Sequence, residues 1–127
     1  MKSKEIKLLD EWKKRLGLFD WRIQLELNCK PNEMALEDCA GCVIFKESIK
    51  DATIQMVDPT YCEFLKIPYD FEKVLIHELL HLKLALVCDN TSDLQERYMH
   101  QVIEDFARAF VDAKRQELKK TEISLER

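Results

Sequence analysis

The chain has 127 residues, 46% of them hydrophobic, and this size suits one globular domain with one core, so we expect a single domain over residues 1–127. The net charge of -4 gives no electrostatic reason to expect a nucleic-acid partner. The sequence contains no run of about 18 apolar residues, so we expect no membrane span. The N-terminal segment MKSKEIKLLDEWKKRLG lacks the apolar core of a signal peptide, so we expect a cytoplasmic location.

The first half of the chain predicts one helix and three strands. An amphipathic pattern over 3–16 predicts a helix that ends at Gly17. WRIQLEL at 21–27 alternates apolar and polar residues, which is typical of a half-buried strand. A second strand is predicted at 42–47 and a third, DATIQMV, at 51–57. The short connection between the last two favours an antiparallel pair.

The second half of the chain predicts helices. A short helical turn is predicted over 59–65, and Asp70 caps a longer helix over about 71–87. The S-x-x-Q capping box at 92–95 opens a final helix that reaches about Lys120. The order predicts an α+β fold with an N-terminal helix, a small, mostly antiparallel three-stranded sheet, and helices packed on one sheet face.

Two of the three histidines lie in the most apolar stretch, FEKVLIHELLHLKLALV. His77 and His81 share one helix face and can present two imidazoles to a common point, with Glu78 about 100° round the axis. This H-E-x-x-H spacing occurs where two histidines hold zinc and the glutamate acts on a zinc-bound water. Apolar flanks strengthen the prediction, because burying these groups is unfavourable unless a metal or another partner satisfies them. We therefore predict His77 and His81 as zinc ligands and Glu78 as the catalytic base.

A catalytic zinc usually takes a third protein ligand. The metzincin continuation is excluded, because Leu84 and Val87 stand where it needs glycine and histidine. The final helix offers three candidates at i, i+4, i+8 spacing: Glu96, His100 and Glu104. The residues leave all three open, and we favour His100 because imidazole is a common zinc donor.

These motifs resemble the gluzincin-type zinc peptidases in their smallest single-domain form, and the small zincin-like proteins often met in phages and mobile elements. VLIHELLHL carries the specific part of the resemblance, and HQVIEDFARAF, LFDWRIQLEL and DATIQMV are similar in pattern. In gluzincins the third ligand is a glutamate on a later helix, and an acid one turn further supports the first motif histidine. The resemblance implies His100 at the ligand position, where histidine replaces glutamate, and Glu104 as the supporting carboxylate. Three-histidine zinc sites also occur in SprT-like zincins.

The resemblance and the motif together predict a zinc-dependent metallopeptidase that hydrolyses peptide bonds. The resemblance also implies that the strand at 51–57 is a sheet edge beside the cleft, where a peptide or protein substrate adds as a further strand. The residues leave one alternative open, a non-catalytic zinc-binding module for protein interaction or regulation, because a small core can use zinc for stability.

Other residues carry weaker signals. Cys39 and Cys42 have the C-x-x-C spacing of a redox or zinc pair, but no second pair accompanies them, so their role stays open. Tyr61, Tyr69 and Tyr98 are candidates to donate a hydroxyl proton to a developing oxyanion. Each of these tyrosines is more often a packing residue with a wetted tip.

Overall fold

A computed structural model describes residues 2–35, 40–64, 68–85 and 92–126. The elements run in the order α1 (Lys4–Arg15), β1 (Arg22–Cys29), β2 (Gly41–Lys46), β3 (Asp51–Val57), α2 (Pro59–Phe64), α3 (Phe71–Lys83) and α4 (Asp93–Glu126). Short 3₁₀ turns lie at Pro31–Glu33 and Glu47–Ile49. The predicted α+β class, the N-terminal helix and the long C-terminal helix are confirmed. No helix in the described ranges offers an apolar stretch long enough to cross a membrane.

Local capping explains where α1 begins and ends. The Ser3 hydroxyl accepts a hydrogen bond from the Ile6 backbone N–H at 3.3 Å, as an N-cap does. After the helix, Gly17 takes a φ of +70°, and the Leu18 N–H donates to the Lys13 carbonyl at 2.8 Å. A residue without a side chain adopts this left-handed conformation at least cost, so the glycine ends the helix where the sequence predicted.

The caps of α3 and α4 also follow the sequence. The Asp70 carboxylate accepts a backbone N–H from the first turn of α3, and Ser92 and Gln95 form the predicted capping box of α4. The C-terminal ends differ from the prediction. Helix α3 ends at Lys83, earlier than predicted, and residues 86–91 lie outside the described ranges. Helix α4 extends beyond its predicted end.

The three strands form a mixed sheet in the order β1-β3-β2. Strands β2 and β3 are antiparallel, as predicted, with Gly41 opposite Met56 and Lys46 opposite Asp51. Strands β1 and β3 are parallel, with Arg22 also opposite Asp51. The predicted mostly antiparallel sheet is therefore wrong, since one of the two pairings is parallel.

The predicted edge position of residues 51–57 is also wrong, because β3 is the central strand and β2 is an edge. The chemistry of the strands accounts for this order. After Asp51, β3 carries no charged residue on either face, and Gln55 and Val57 on its second face are buried. Strand β1 carries Arg22 and Glu26 on that face, where both are exposed. A strand without charges can be covered on both faces and paired on both edges.

The main core lies between one sheet face and the helices. It contains apolar residues from every layer: Ala52, Ile54 and Met56 of β3, Leu9 and Trp12 of α1, Leu75, Ile76 and Leu79 of α3, and Ile103, Ala107 and Val111 of α4. A smaller cluster on the other side contains Cys29, Met34, Cys42, Val57 and Cys62. The Cys42 thiol donates to the Gln55 side-chain oxygen at 3.1 Å. Cys39, its partner in the C-x-x-C motif, lies outside the described residues.

A buried polar network joins α1, α3 and α4. The Glu72 side chain is 10% exposed and accepts hydrogen bonds from the Trp12 indole N–H at 2.7 Å and from the Lys114 ammonium at 2.5 Å. Lys114 also pairs with Glu11 at 3.0 Å. Because Glu72 lies five residues before His77 on α3, this network fixes the helix that carries the predicted metal ligands.

Candidate metal centre

Three histidine side chains from two helices meet at one point. His77 and His81 come from one face of α3, and His100 comes from the second turn of α4. The ring centroids lie 5.1 Å apart for His77 and His81, 5.8 Å for His77 and His100, and 4.8 Å for His81 and His100. One ring nitrogen from each lies within 4.8 Å of the others. These residues could therefore hold one metal ion.

The packing of α4 on α3 brings His100 to this point. Ile103, Ala107 and Val111 recur every four residues on α4 and are fully buried in the core. His100 lies three residues before Ile103, so it falls on the same side of α4, one turn nearer the N-terminus. At this position along α4, His100 contacts the histidines of α3 rather than the apolar core.

The other two candidates for the third ligand lie at different positions. Glu104 contacts His77, and its carboxylate oxygen lies 2.8 Å from the His77 Nδ1. Glu96 lines the surrounding cleft but is not part of the histidine cluster. The structure therefore brings His100 together with His77 and His81 and places Glu104 against His77, while the roles of these residues stay predictions.

The hydrogen bond to Glu104 has a chemical consequence for His77. A carboxylate accepts the proton of Nδ1, which leaves a lone pair on Nε2. An imidazole held in this way is fixed in orientation. This arrangement is common for histidines that bind metals.

The interior position of the site shifts the pKa values of two groups. Burial, with a further contribution from the Glu104 carboxylate, raises the pKa of Glu78 to about 7. Burial lowers the pKa of His81 to about 4, and the neighbouring His77 and His100 lower it further. His81 is therefore neutral near pH 7 and can donate a lone pair. Glu78, which is 5% exposed, can exchange a proton near the same pH.

The histidines open into a cleft of about 840 Å³ between β2, α3 and α4. One wall comes from the edge strand, where Gly41, Val43 and Phe45 line the cleft, and Val74 of α3 faces them. A side chain at Gly41 would lie only 2.6 Å from a methyl group of Val74, so the glycine allows β2 to approach α3 closely.

The sequence did not identify the cleft wall on β2. Apolar residues on a strand usually indicate core, and only the strand order shows that Val43 and Phe45 line a cleft. Of the three candidate tyrosines, Tyr69 lines the cleft, and its buried hydroxyl has no hydrogen-bond partner among the described residues. Tyr61 and Tyr98 are exposed and do not belong to the described lining.

Comparisons of the chain with protein-family models, with curated proteins and with solved structures found no match. The chemistry of this site is therefore argued from its own residues. Those residues are three convergent imidazoles, a carboxylate that orients one of them, and a second, buried carboxylate beside the cluster.

Proposed function

We propose that this protein is a zinc-dependent metallopeptidase with a zincin-like site built on α3 and α4. One observation carries the proposal: the three imidazoles converge in an open cleft, and the buried Glu78 carboxylate lies beside them without belonging to the ligand cluster. Burying a carboxylate costs free energy unless a hydrogen bond, an opposite charge or a metal offsets the cost, so its position beside three convergent imidazoles calls for an explanation. Activation of water beside a metal is the role that fits its position.

Zinc suits this set of donors. Neutral imidazole is a frequent zinc ligand, and three protein ligands leave a fourth position for water or substrate. One ring nitrogen each of His77, His81 and His100 lies within 4.8 Å of the others, so these three residues would hold the ion together.

The roles of the protein residues follow from their positions. The bound metal supplies Lewis acidity, which favours deprotonation of water and stabilises negative charge on the substrate carbonyl oxygen. Glu78 accepts a proton from the attacking water and delivers it to the leaving amine. Glu104 holds His77 in one orientation through the 2.8 Å hydrogen bond.

Strand β2 is the proposed binding edge for an extended peptide or protein substrate. It ends the sheet order, and its residues line the cleft beside the histidines. A peptide adds to such an edge through backbone hydrogen bonds, and alternate side chains then face the cleft. The substrate strand therefore lies against β2 rather than against residues 51–57.

One observation favours a second function, a non-catalytic zinc-binding module for protein interaction or regulation. The ligands come from two helices, so a metal ion would join α3 to α4. Small domains often gain stability from such a metal. In this second function Glu78 has no catalytic role, which makes it the residue that separates the two functions.

The test compares Glu78→Gln with the matched variant Glu96→Gln, which changes another carboxylate of the same cleft. We expect wild type and both variants to bind one zinc per chain. Hydrolysis of a mixed peptide library should fall by about 10²–10⁴-fold in Glu78→Gln, because general base catalysis is lost. It should change only a few-fold in Glu96→Gln. Equal behaviour of wild type and Glu78→Gln, with zinc retained, would contradict the peptidase and support the binding module.

A further inference from the structure

The outer edge of β2 carries backbone groups that a further strand can pair with. Strand β2 pairs with β3 along one edge, and no strand in the described ranges pairs with its other edge. One hydrogen bond fixes the phase of the ladder, because the Val57 N–H donates to the Ala40 carbonyl at 3.0 Å. The register continued by one residue places Ala40 opposite Val57, so these two residues form a hydrogen-bonded pair.

The phase of the ladder decides which residues of β2 face the outer edge. Hydrogen-bonded and non-hydrogen-bonded pairs alternate along antiparallel strands, so every second residue after Ala40 directs its N–H and C=O to β3. Gly41, Val43 and Phe45 lie between those residues and direct their backbone groups outward. The same three residues line the cleft. Backbone pairing and side-chain contact with a bound strand therefore come from the same positions.

The two faces of β2 have different surroundings. On the cleft side, Val43 packs at the margin of the main core and Phe45 is 41% exposed. On the opposite side, Cys42 lies in the smaller cluster and Ile44 is 50% exposed. Residues directly opposite each other on neighbouring strands share a face, whichever way the strands run. Every second side chain of an added strand therefore enters the cleft, and the others face the side of Ile44.

The cleft-facing positions of β2 lie beside the metal centre. Gly41 approaches Val74, which lies one turn before His77 on α3. Val43 and Phe45 line the same cleft as the three histidines. Side chains of an added strand that lie opposite Val43 and Phe45 therefore enter the cleft that contains the proposed reaction centre.

The wall that receives these side chains is apolar. It consists of Val43 and Phe45 of β2 and Val74 of α3. Apart from the buried Glu78, the charged residues of the lining lie on α4 or at the start of α3: Asp70, Lys73, Glu96 and Glu104. An apolar side chain against this wall gains burial, whereas a polar one loses contact with water without a partner there.

We infer that the substrate is an extended segment in which apolar side chains recur at every second residue beside the scissile bond. The apolar side chains enter the cleft opposite Val43 and Phe45, and the side chains between them face the side of Ile44, where polar groups meet water. The inference rests on the proposed function, because cleavage takes place at the histidine centre. Alternation of this kind is typical of half-buried strands. Unfolded or exposed β-strand segments of proteins are therefore the substrate class.

The first experiment measures binding without turnover, with the zinc-loaded Glu78→Gln variant. The probe is a short peptide in which valine and serine alternate. The matched control peptide has the same composition in the repeat Val-Val-Ser-Ser, in which no two valines are two residues apart. The alternating peptide should bind about 10-fold or more tightly, because it places one more apolar side chain against the wall. Equal affinities, or no binding of the alternating peptide, overturn the inference.

The second experiment tests the pairing with the edge of β2. A single N-methyl group is placed at each residue of the alternating peptide in turn, and each methyl removes one backbone N–H. Affinity for the Glu78→Gln variant should fall by about 5–10-fold at every second residue and little at the residues between them, because only alternate N–H groups face β2. Equal effects at all residues, or no effect at any, overturn the inference.

The third experiment compares the sequences that wild type, Phe45→Glu and Ile44→Glu cleave in a peptide library. The two substituted residues are neighbours with similar exposure on opposite faces of β2. Wild type should prefer apolar residues two positions apart. Phe45→Glu should change one of these preferences to lysine or arginine, and Ile44→Glu should leave both preferences as in wild type.

The outcomes of the third experiment separate this inference from the proposed function. The same change in both variants, or no change in Phe45→Glu, overturns the inference and leaves the peptidase standing. A wild type that cleaves no peptide contradicts the peptidase, and the two binding experiments then decide whether the β2 edge selects the alternating pattern.

Discussion

Substitution of Glu72 by glutamine tests the network that fixes α3 and the residues it carries. Glutamine keeps the shape of the side chain and an acceptor for the Trp12 indole N–H. It removes the charge that faces the Lys114 ammonium at 2.5 Å and Arg115 at 3.5 Å. The Lys114 side chain is 13% exposed, so its charge is largely shielded from water, and Glu11 is then its remaining carboxylate partner among the described residues.

The expected loss follows from burial. Breaking a well-buried ion pair by removing one partner destabilises a protein by about 3–5 kcal/mol. Because Glu11 remains beside Lys114, we expect Glu72→Gln to lower the free energy of unfolding by about 2–3 kcal/mol. With a typical dependence on urea, the unfolding midpoint falls by about 1–2 M.

The difference in the free energy of unfolding can be measured by urea unfolding of the metal-free proteins. The fluorescence of the buried Trp12 and Trp21 reports the transition. The matched control is Asp10→Asn, which neutralises a carboxylate in the exposed 2.7 Å pair with Lys2. The control should change the free energy of unfolding by less than about 1 kcal/mol. If Glu72→Gln is no more destabilising than Asp10→Asn, the network does not hold α3 as described.

The pH dependence gives the same network a second readout. Burial alone would raise the pKa of Glu72, but the hydrogen bonds from Lys114 and Trp12 outweigh it and lower the pKa below its ordinary value of 4.5. A carboxyl with a depressed folded-state pKa stabilises the fold fully above its unfolded-state pKa, and this stabilisation is lost as the pH falls through the folded-state value. The difference in stability between wild type and Glu72→Gln should therefore narrow below about pH 4.5. A constant difference would contradict the ion pair.

Two further substitutions probe the site and its wall. Glu104→Gln should weaken zinc binding by about 10–100-fold, because His77 loses the carboxylate that orients it. The control variant Glu96→Gln should leave zinc affinity unchanged. Equal zinc affinities of the two variants in a competition titration would contradict the role of Glu104. Gly41→Ala should lower the free energy of unfolding by about 1–3 kcal/mol, because the new methyl lies 2.6 Å from Val74. Adding Val74→Ala should recover part of this loss in a double-mutant cycle, and a purely additive cycle would contradict the close approach.

Local patterns predicted the parts of the site that lie within one element. His77 and His81 share a face because residues four apart always do on a helix. The caps at Asp70 and Ser92 depend on side chains three residues from their partners, so the sequence marked both helix starts. Which of Glu96, His100 and Glu104 meets the histidines of α3 depends on how α4 packs on α3, and the i, i+4, i+8 spacing of these residues could not fix that packing.

The strand order and the Glu72 network depend on contacts between residues far apart in the chain, and the sequence could not predict them. Alternation along a strand specifies which residues share a face, but it does not specify which strands are neighbours. The absence of charge after Asp51 on β3 was the available signal for a central strand. The Glu72 network had no sequence signal, because a glutamate in the first turn of a helix usually faces water.

Zinc content combined with anomalous scattering at the zinc edge tests the central claim most directly. We predict one zinc per chain in the purified protein and one anomalous peak between His77, His81 and His100. Absence of metal from the purified protein, or a peak at residues other than these three histidines, would contradict the proposed centre.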